Sequence, residues 1–128
     1  SRAWLFLQAG DLRNAEREAS SALRASSGFF PAATTLGYID LARRDERGAI
    51  ERFDRALAAD ATYAPALAGK GQALAESNQD DEALRAFEAA LAADPALTGI
   101  ARRIDVVRLR GTQRAVAEAQ AQIENKDY

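Results

Sequence analysis

Few residues of this chain have the types and spacing that catalysis needs. Histidine and cysteine are absent, which removes the side chain best suited to proton transfer near neutral pH and the thiolates that attack substrates or hold metals. Carboxylate pairs could still perform acid–base hydrolysis, but that chemistry needs two acids in contrasting environments that face one cleft. The acids here fall in predicted turns or on predicted solvent faces. We therefore predict that the chain is not an enzyme and holds no cofactor or metal.

Two short motifs favour helix over chemistry. The Gly-Lys-Gly segment at 69–71 resembles a phosphate-binding loop, but it lacks the following Ser or Thr, the upstream glycine and the preceding strand. The acidic run at 80–82 offers oxygen ligands, yet a calcium loop must wrap them around the ion with a glycine at the turn. Acids at a helix start instead complement the helix dipole and cap free N–H groups. We predict a helix start at 80–82.

Arginines form the densest cluster of like charge. The cluster comprises Arg102, Arg103, Arg108, Arg110 and Arg114. On a continuous helix, Arg103, Arg110 and Arg114 share a face. Two interpretations stay open. The cluster is a solvated stripe in which Arg114 pairs with Glu118 one turn on, or it is a docking patch for an acidic segment, a carboxylate or a neighbouring domain.

Composition places the chain among all-α proteins. Its 128 residues have the length of one domain, and 48% of them are hydrophobic and 28% charged, as in ordinary folded proteins. β-branched residues never alternate as in strands, and no apolar run is long enough to span a bilayer, so we expect no membrane insertion. Charges of both signs are interspersed with a net charge of −2, which disfavours nucleic acid as a partner. Methionine is absent and the first residue is Ser1, so we expect a fragment of a larger protein, and its localisation stays open.

The chain repeats itself at a constant interval. The five residues Ala56–Asp60 match Ala90–Asp94 letter for letter, an offset of 90 − 56 = 34 positions. The same offset aligns Ala15 with Ala49 and Ala83, Ala19 with Phe53 and Phe87, Gly37 with Gly71, Pro31 with Pro65, and Phe29 with Tyr63 and Leu97. So many coincidences in one register indicate stacked structural repeats.

These residues resemble the tetratricopeptide repeat (TPR) family, whose unit is two antiparallel helices in about 34 residues. The family's small and aromatic positions fall on Gly37, Gly71, Ala49, Ala56, Ala83, Ala90, Phe53 and Phe87, and its closing proline falls on Pro95. Asp40 and Leu74 stand where the family often has tyrosine, and Ser27 and Ala61 replace the closing proline. The resemblance covers about residues 1–97. It implies an all-α solenoid of helix pairs, with Gly37 facing Ala49 where the paired helices approach; Gly37→Leu is then expected to cost about 1–3 kcal/mol or more.

Helical periodicity divides the chain into units at about 1–29, 30–63 and 64–97, followed by divergent C-terminal helices at 98–128. The first predicted helix ends at about Ala9, and its partner spans 12–25. The second pair spans 31–43 and 46–59, and the third pair spans 65–77 and 80–93. Asn78, Gln79 or Asp80 is available to cap the last of these helices. The divergent segment is either a helix pair hinged at Gly111 or one long helix. We favour one helix, because a lone glycine costs only about 1 kcal/mol there. The residues at 126–128 then resemble the turn that follows Gly10.

The first helices carry the candidate binding surface. Trp4, Tyr38, Gln72 and Val106 follow one another at the repeat offset, and in the resembled family this position faces a concave groove where peptides bind. The candidate groove residues are Trp4, Leu7, Tyr38, Leu41, Gln72 and Val106, together with Arg102 and Arg110. Family members that clamp the terminal carboxylate of chaperone peptides use lysine, arginine and asparagine where this chain has Thr34, Tyr38, Ala68 and Gln72. The resemblance therefore implies a groove without that clamp.

The sequence predicts a protein-interaction module that binds a protein or peptide segment in this groove. If Tyr38 is a surface anchor, Tyr38→Ala weakens binding and leaves the melting temperature nearly unchanged. One alternative is a structural segment that self-associates through its solenoid ends, because Leu5 and Phe6 lie near an incomplete first unit. Another is the non-catalytic regulatory part of a larger enzyme. The identity of the partner is left open.

Overall fold

A computed structural model of the chain describes residues 2–26 and 29–126, and throughout these ranges the regular structure is α-helical. The helices are α1 (Arg2–Gln8), α2 (Leu12–Ala25), α3 (Phe30–Ala42), α4 (Glu46–Ala59), α5 (Ala64–Glu76), α6 (Asp80–Ala93) and α7 (Thr98–Lys126). The all-α prediction is confirmed. The turn expected around 27–28 and the turn-like residues 127–128 lie outside the described residues.

The helices pack as pairs that stack in chain order. Within the pairs, α1 contacts α2, α3 contacts α4 and α5 contacts α6, while α2, α4 and α6 each contact the helix that follows. The first helices also touch one another, α1 with α3 and α3 with α5. Each unit therefore buries its apolar face only by stacking on a neighbour, as in a solenoid. The predicted limits of α2, α4 and α6 agree with the structure, and α3 and α5 begin and end one residue earlier than predicted.

The turn inside each pair uses the same backbone geometry. Gly10, Arg44 and Asn78 adopt φ values of 79°, 63° and 62°, and the three positions are related by the repeat offset. A left-handed residue reverses the chain tightly enough to bring the second helix back along the first. Glycine and asparagine adopt this region readily, whereas Arg44 does so against its preference. The repeat is therefore also present in the backbone φ angles of these turns.

Capping differs among the second helices. Asp11 accepts a hydrogen bond from the backbone N–H of Asn14 at 3.2 Å, and Asp45 accepts one from that of Gly48 at 3.0 Å. At the start of α6 the N-cap is Gln79, which makes no side-chain capping bond. The prediction that a side chain at 78–80 caps this helix is therefore wrong.

Buried phenylalanine rings pack against glycines of the neighbouring first helices. Phe53 of α4 is fully buried, and a Cβ placed on Gly37 would lie 2.6 Å from its ring. A Cβ on Gly69 of α5 would also collide with the Phe53 ring, which thus lies between two glycine surfaces. The atoms nearest to a Cβ on Gly37 therefore belong to Phe53.

Units with a buried phenylalanine have a glycine beside the ring, and the unit without the phenylalanine also lacks the glycine. Phe87 is 1% exposed, and a Cβ on Gly71 would lie 2.6 Å from its ring. In the first unit the aligned second-helix residue is Ala19, and the aligned first-helix residues are Ala3 and Thr35, all buried. Where the second-helix residue is small, the first-helix residues beside it therefore have side chains in place of glycine, as constant packing density requires.

The C-terminal segment is one helix of 29 residues, which confirms the preferred of the two interpretations. Ile100, Ile104 and Val107 are buried against the core that contains Phe87. Residues 112–126 are exposed along their whole length. A Cβ on Gly111 would meet nothing within 4 Å, so that glycine marks no hinge.

Two Gly→Ala substitutions within helices test the ring–glycine contact. We expect Gly37→Ala to lower the free energy of unfolding by about 1–3 kcal/mol, because its Cβ overpacks the buried Phe53 ring. Gly111→Ala makes the same chemical change in open space and should raise that free energy by up to about 1 kcal/mol through helix propensity. Urea denaturation measures both. Equal effects at the two positions would contradict the packing described.

Candidate functional site

A groove of about 460 Å³ lies between α5 and the first half of α7. Its lining residues are Gln72, Ala75, Glu76, Phe87, Gly99, Arg102, Arg103, Val106, Val107 and Arg110. The floor is apolar, since Phe87 and Val107 are buried and Ala75 is partly buried. The groove brings together four of the predicted residues: Gln72, Val106, Arg102 and Arg110.

The arginines give the groove its electrostatic character. Arg102 and Arg103 are exposed, and within residues 2–26 and 29–126 neither forms an ion pair. One carboxylate also lines the groove, that of Glu76, which accepts a hydrogen bond from Gln72 Nε2 at 3.3 Å. Arg102 and Arg103 thus outnumber the one lining carboxylate, so the groove is locally positive on a chain of net negative charge.

Arg110 is held by the body of the protein. Its Nη2 pairs with Asp80 Oδ1 and donates to the backbone carbonyl of Ala75 at 2.9 Å. Arg114 Nη1 lies 3.3 Å from the other Asp80 oxygen, Oδ2. The Asp80 side chain is only 12% exposed, so this three-residue cluster fastens α7 to the start of α6. The expected pairing of Arg114 with Glu118 is wrong, because Asp80 across the helix interface is the partner.

An aromatic cluster lies at the opposite end of the first-helix ladder. The Trp4 and Tyr38 rings meet edge to face at 5.8 Å, and Tyr38 and Phe53 do the same at 5.1 Å. The Tyr38 hydroxyl donates to the Pro65 carbonyl at 2.7 Å, and burial raises the pKa of Tyr38 to about 12. Tyr38 thus connects α3 to α5. Because Tyr38 is packed and hydrogen-bonded, we expect its removal to lower stability, in contrast to the expectation from the sequence. Trp4 is 38% exposed.

Two predicted groove residues belong instead to the core. Leu41 is 8% exposed and packs in the cluster around Phe53, which corrects its placement on the open surface. Leu7 packs against the cluster formed by α1, α2 and α3 and is half-buried. Both placements depend on contacts with neighbouring helices, which spacing within one helix does not give.

Arg103, Glu76 and Phe87 line the groove although they were not among the predicted groove residues. Arg103 carried a signal, because it aligns with Gly69 at the repeat offset, so a large cation stands where the preceding unit has no side chain. Phe87 was predicted as core, and it is both core and floor. The contact between Asp80 and Arg110 could not be predicted from the repeat, because the two residues are 30 positions apart and not 34.

Neither a metal cluster nor a membrane-spanning helix occurs in the part of the chain that the structure describes. Within residues 2–26 and 29–126, no three acidic side chains come together in a way that could hold a metal ion. No helix in these ranges combines the length and apolarity needed to cross a membrane.

Comparison with known proteins finds likeness in fold. Neither the protein-family models nor the curated proteins give a match. Among solved structures, the first TPR of Spaghetti (RPAP3) bound to HSP90 peptide SRMEEVD has a TM-score of 0.81 at 14% identity, over 87% of this chain and 90% of that chain. MamA has a TM-score of 0.77 at 18% identity, over 94% of this chain and 66% of MamA. The Yersinia enterocolitica type III secretion translocator chaperone SycD has a TM-score of 0.76 at 14% identity, over 86% of this chain and 81% of SycD.

Substitutions at Tyr38 test its connecting role. We expect Tyr38→Ala to lower the free energy of unfolding by about 2–4 kcal/mol, through lost ring packing. Tyr38→Phe keeps the ring and removes the bond to Pro65, so it should cost about 1 kcal/mol. Tyr63→Phe is the matched control, because no hydrogen bond from the Tyr63 hydroxyl occurs among the described residues, and it should be nearly neutral in urea denaturation.

The raised pKa of Tyr38 makes stability depend on alkaline pH. The folded chain holds this proton more tightly than the unfolded chain, whose tyrosine pKa is about 10. The stabilisation is therefore complete below about pH 10 and is lost as pH rises through about 12. Absorbance at 295 nm should show a tyrosine that titrates near pH 12 and disappears in Tyr38→Phe. A wild-type titration complete near pH 10 would refute this assignment.

Proposed function

We propose that this chain, which has the tetratricopeptide-repeat fold, binds a segment of a partner protein in the groove between α5 and α7. The segment would carry acidic residues beside a large apolar side chain. Two arginines without ion pairs above an apolar floor are the observation that carries this proposal. The chain acts by recognition and not by catalysis, in keeping with the absence of histidine and cysteine.

Each part of the groove supports a particular kind of contact. Guanidinium groups bind carboxylates with two parallel hydrogen bonds, which is stronger and more directional than contact with an ammonium group. Because Arg110 is already held by Asp80 and Ala75, Arg102 and Arg103 are the arginines available to a ligand. The floor at Phe87 and Val107 would receive an apolar side chain, and Val106, which is 59% exposed, would flank it.

A neighbouring structure supports a peptide as the ligand class, and the residues of this chain support a different position for that peptide in the groove. The first TPR of Spaghetti (RPAP3) is bound to a peptide, SRMEEVD, that contains acidic residues. Thr34, which stands at a clamp position in the resembled family, is 3% exposed, and its hydroxyl donates to the Phe30 carbonyl. The cationic side chains of this chain lie further along, on α7. An acidic ligand would therefore sit one unit closer to the C-terminus.

Selection from a random dodecapeptide library on the immobilised chain tests the proposal. Recovered peptides should be enriched in Asp and Glu with one large apolar residue. By titration calorimetry, Arg102→Ala/Arg103→Ala should weaken their binding about tenfold to hundredfold, because charge-assisted hydrogen bonds are lost. Binding should also weaken as salt rises.

The matched control is Arg55→Ala/Arg85→Ala, which removes two exposed arginines from the second helices α4 and α6. Both double variants should unfold at nearly the wild-type urea concentration, since exposed residues without ion pairs contribute little to stability. Selected peptides without acidic enrichment, or equal loss of affinity in both variants, would refute the proposed site.

A further inference from the structure

An exposed apolar stripe runs along α7, from the groove into the half of the helix that extends beyond the solenoid. Val106, Leu109, Val116 and Ile123 are 59%, 59%, 51% and 61% exposed. With Gln113 and Gln120 they recur at alternating intervals of three and four residues. That spacing keeps them on one face of the helix for about 26 Å at about 1.5 Å per residue. A stripe of this period is the seam of a two-helix coiled coil.

We propose that this stripe binds the same stripe of a second copy of the chain, with the two α7 helices antiparallel. Val106 of one copy would then pack against Ile123 of the other, and Leu109 against Gln120. Small residues, Thr112, Ala117 and Ala119, flank the seam and allow the helices to approach. The surface is separate from the solenoid end at Leu5.

Charge complementarity selects the second copy and the antiparallel direction. In this register Asp105 of one copy lies beside Lys126 of the other, and Arg103 lies beside Glu124, and the two-fold axis makes each pair occur twice. Within residues 2–26 and 29–126 none of these four side chains forms an ion pair. A parallel pair would keep Arg103 and Glu124 about 30 Å apart and would rely on Arg110, which Asp80 already binds.

Sedimentation equilibrium from micromolar to millimolar concentration tests the association. We expect a reversible monomer–dimer equilibrium. Val116→Glu/Ile123→Glu should weaken dimerisation about hundredfold or more, because it puts charge in place of buried apolar area. The control Ala121→Glu/Gln122→Glu adds the same charges on the opposite face of α7 and should leave most of the dimer. Both pairs are exposed in the monomer, so circular dichroism should report wild-type helix content.

A monomeric mass at every concentration would overturn the proposal. So would dissociation of the dimer by Leu5→Glu but not by Val116→Glu/Ile123→Glu, because that result would assign the contact to the solenoid end. The seam includes Val106 and Arg103, which also line the groove, so dimerisation and peptide binding would compete. Peptide binding by a chain that stays monomeric would contradict the dimer alone, and a dimer that binds no acidic peptide would contradict the proposed function alone.

A charge exchange and cysteine cross-linking test the direction. Asp105→Lys and Lys126→Asp should each weaken the dimer several-fold, and the double variant should restore it. The chain has no native cysteine, so Val106→Cys and Ile123→Cys provide unique thiols. A mixture of the two variants should form a disulfide-linked dimer on oxidation, while neither variant should do so alone. Cross-linking by Ile123→Cys alone would overturn the antiparallel arrangement.

Discussion

The contact between a buried phenylalanine ring and a helical glycine is the constraint on which the second and third units of the solenoid depend. Phe53 occupies the space that side chains on Gly37 and Gly69 would fill, so the ring is locked among three helices of two successive units. Helix propensity alone would favour alanine at both glycines. The gain from burying a whole ring in close contact exceeds that small local cost. The same relation recurs between Phe87 and Gly71.

Where α7 departs from the repeat, the ring–glycine contact is absent. At the repeat offset, Asp105 replaces the glycine and Ala121 replaces the phenylalanine. A second helix folded back at this point would have no ring to bury and would meet a carboxylate. Continuing the helix satisfies every backbone hydrogen bond at no such cost. The interruption of the repeat thus creates both the groove beside α5 and the exposed half of α7.

The sequence was sufficient to predict helices and pairing, and insufficient for the rotation of side chains around each helix. The limits of α2, α4 and α6 followed from periodicity and turn residues, which are local properties. Leu41 faces the core around Phe53, and that placement depends on the helices packed against α3 and not on spacing within α3. The bond between Tyr38 and Pro65 and the ion pair between Arg110 and Asp80 join different helices, across separations of 27 and 30 positions. No interval along the chain encodes such contacts.

The surface formed by the first helices and α7 is aromatic at one end and cationic at the other. Trp4, Tyr38, Gln72 and Val106 follow one another at the repeat offset, on α1, α3, α5 and α7. The series begins with two rings in edge-to-face contact and ends beside the arginines of the groove. An extended ligand that followed it would meet aromatic contacts first and cationic contacts last. A segment with its acids at one end would then gain full complementarity in one direction only, because the reversed chain would place carboxylates against ring faces, which repel anions.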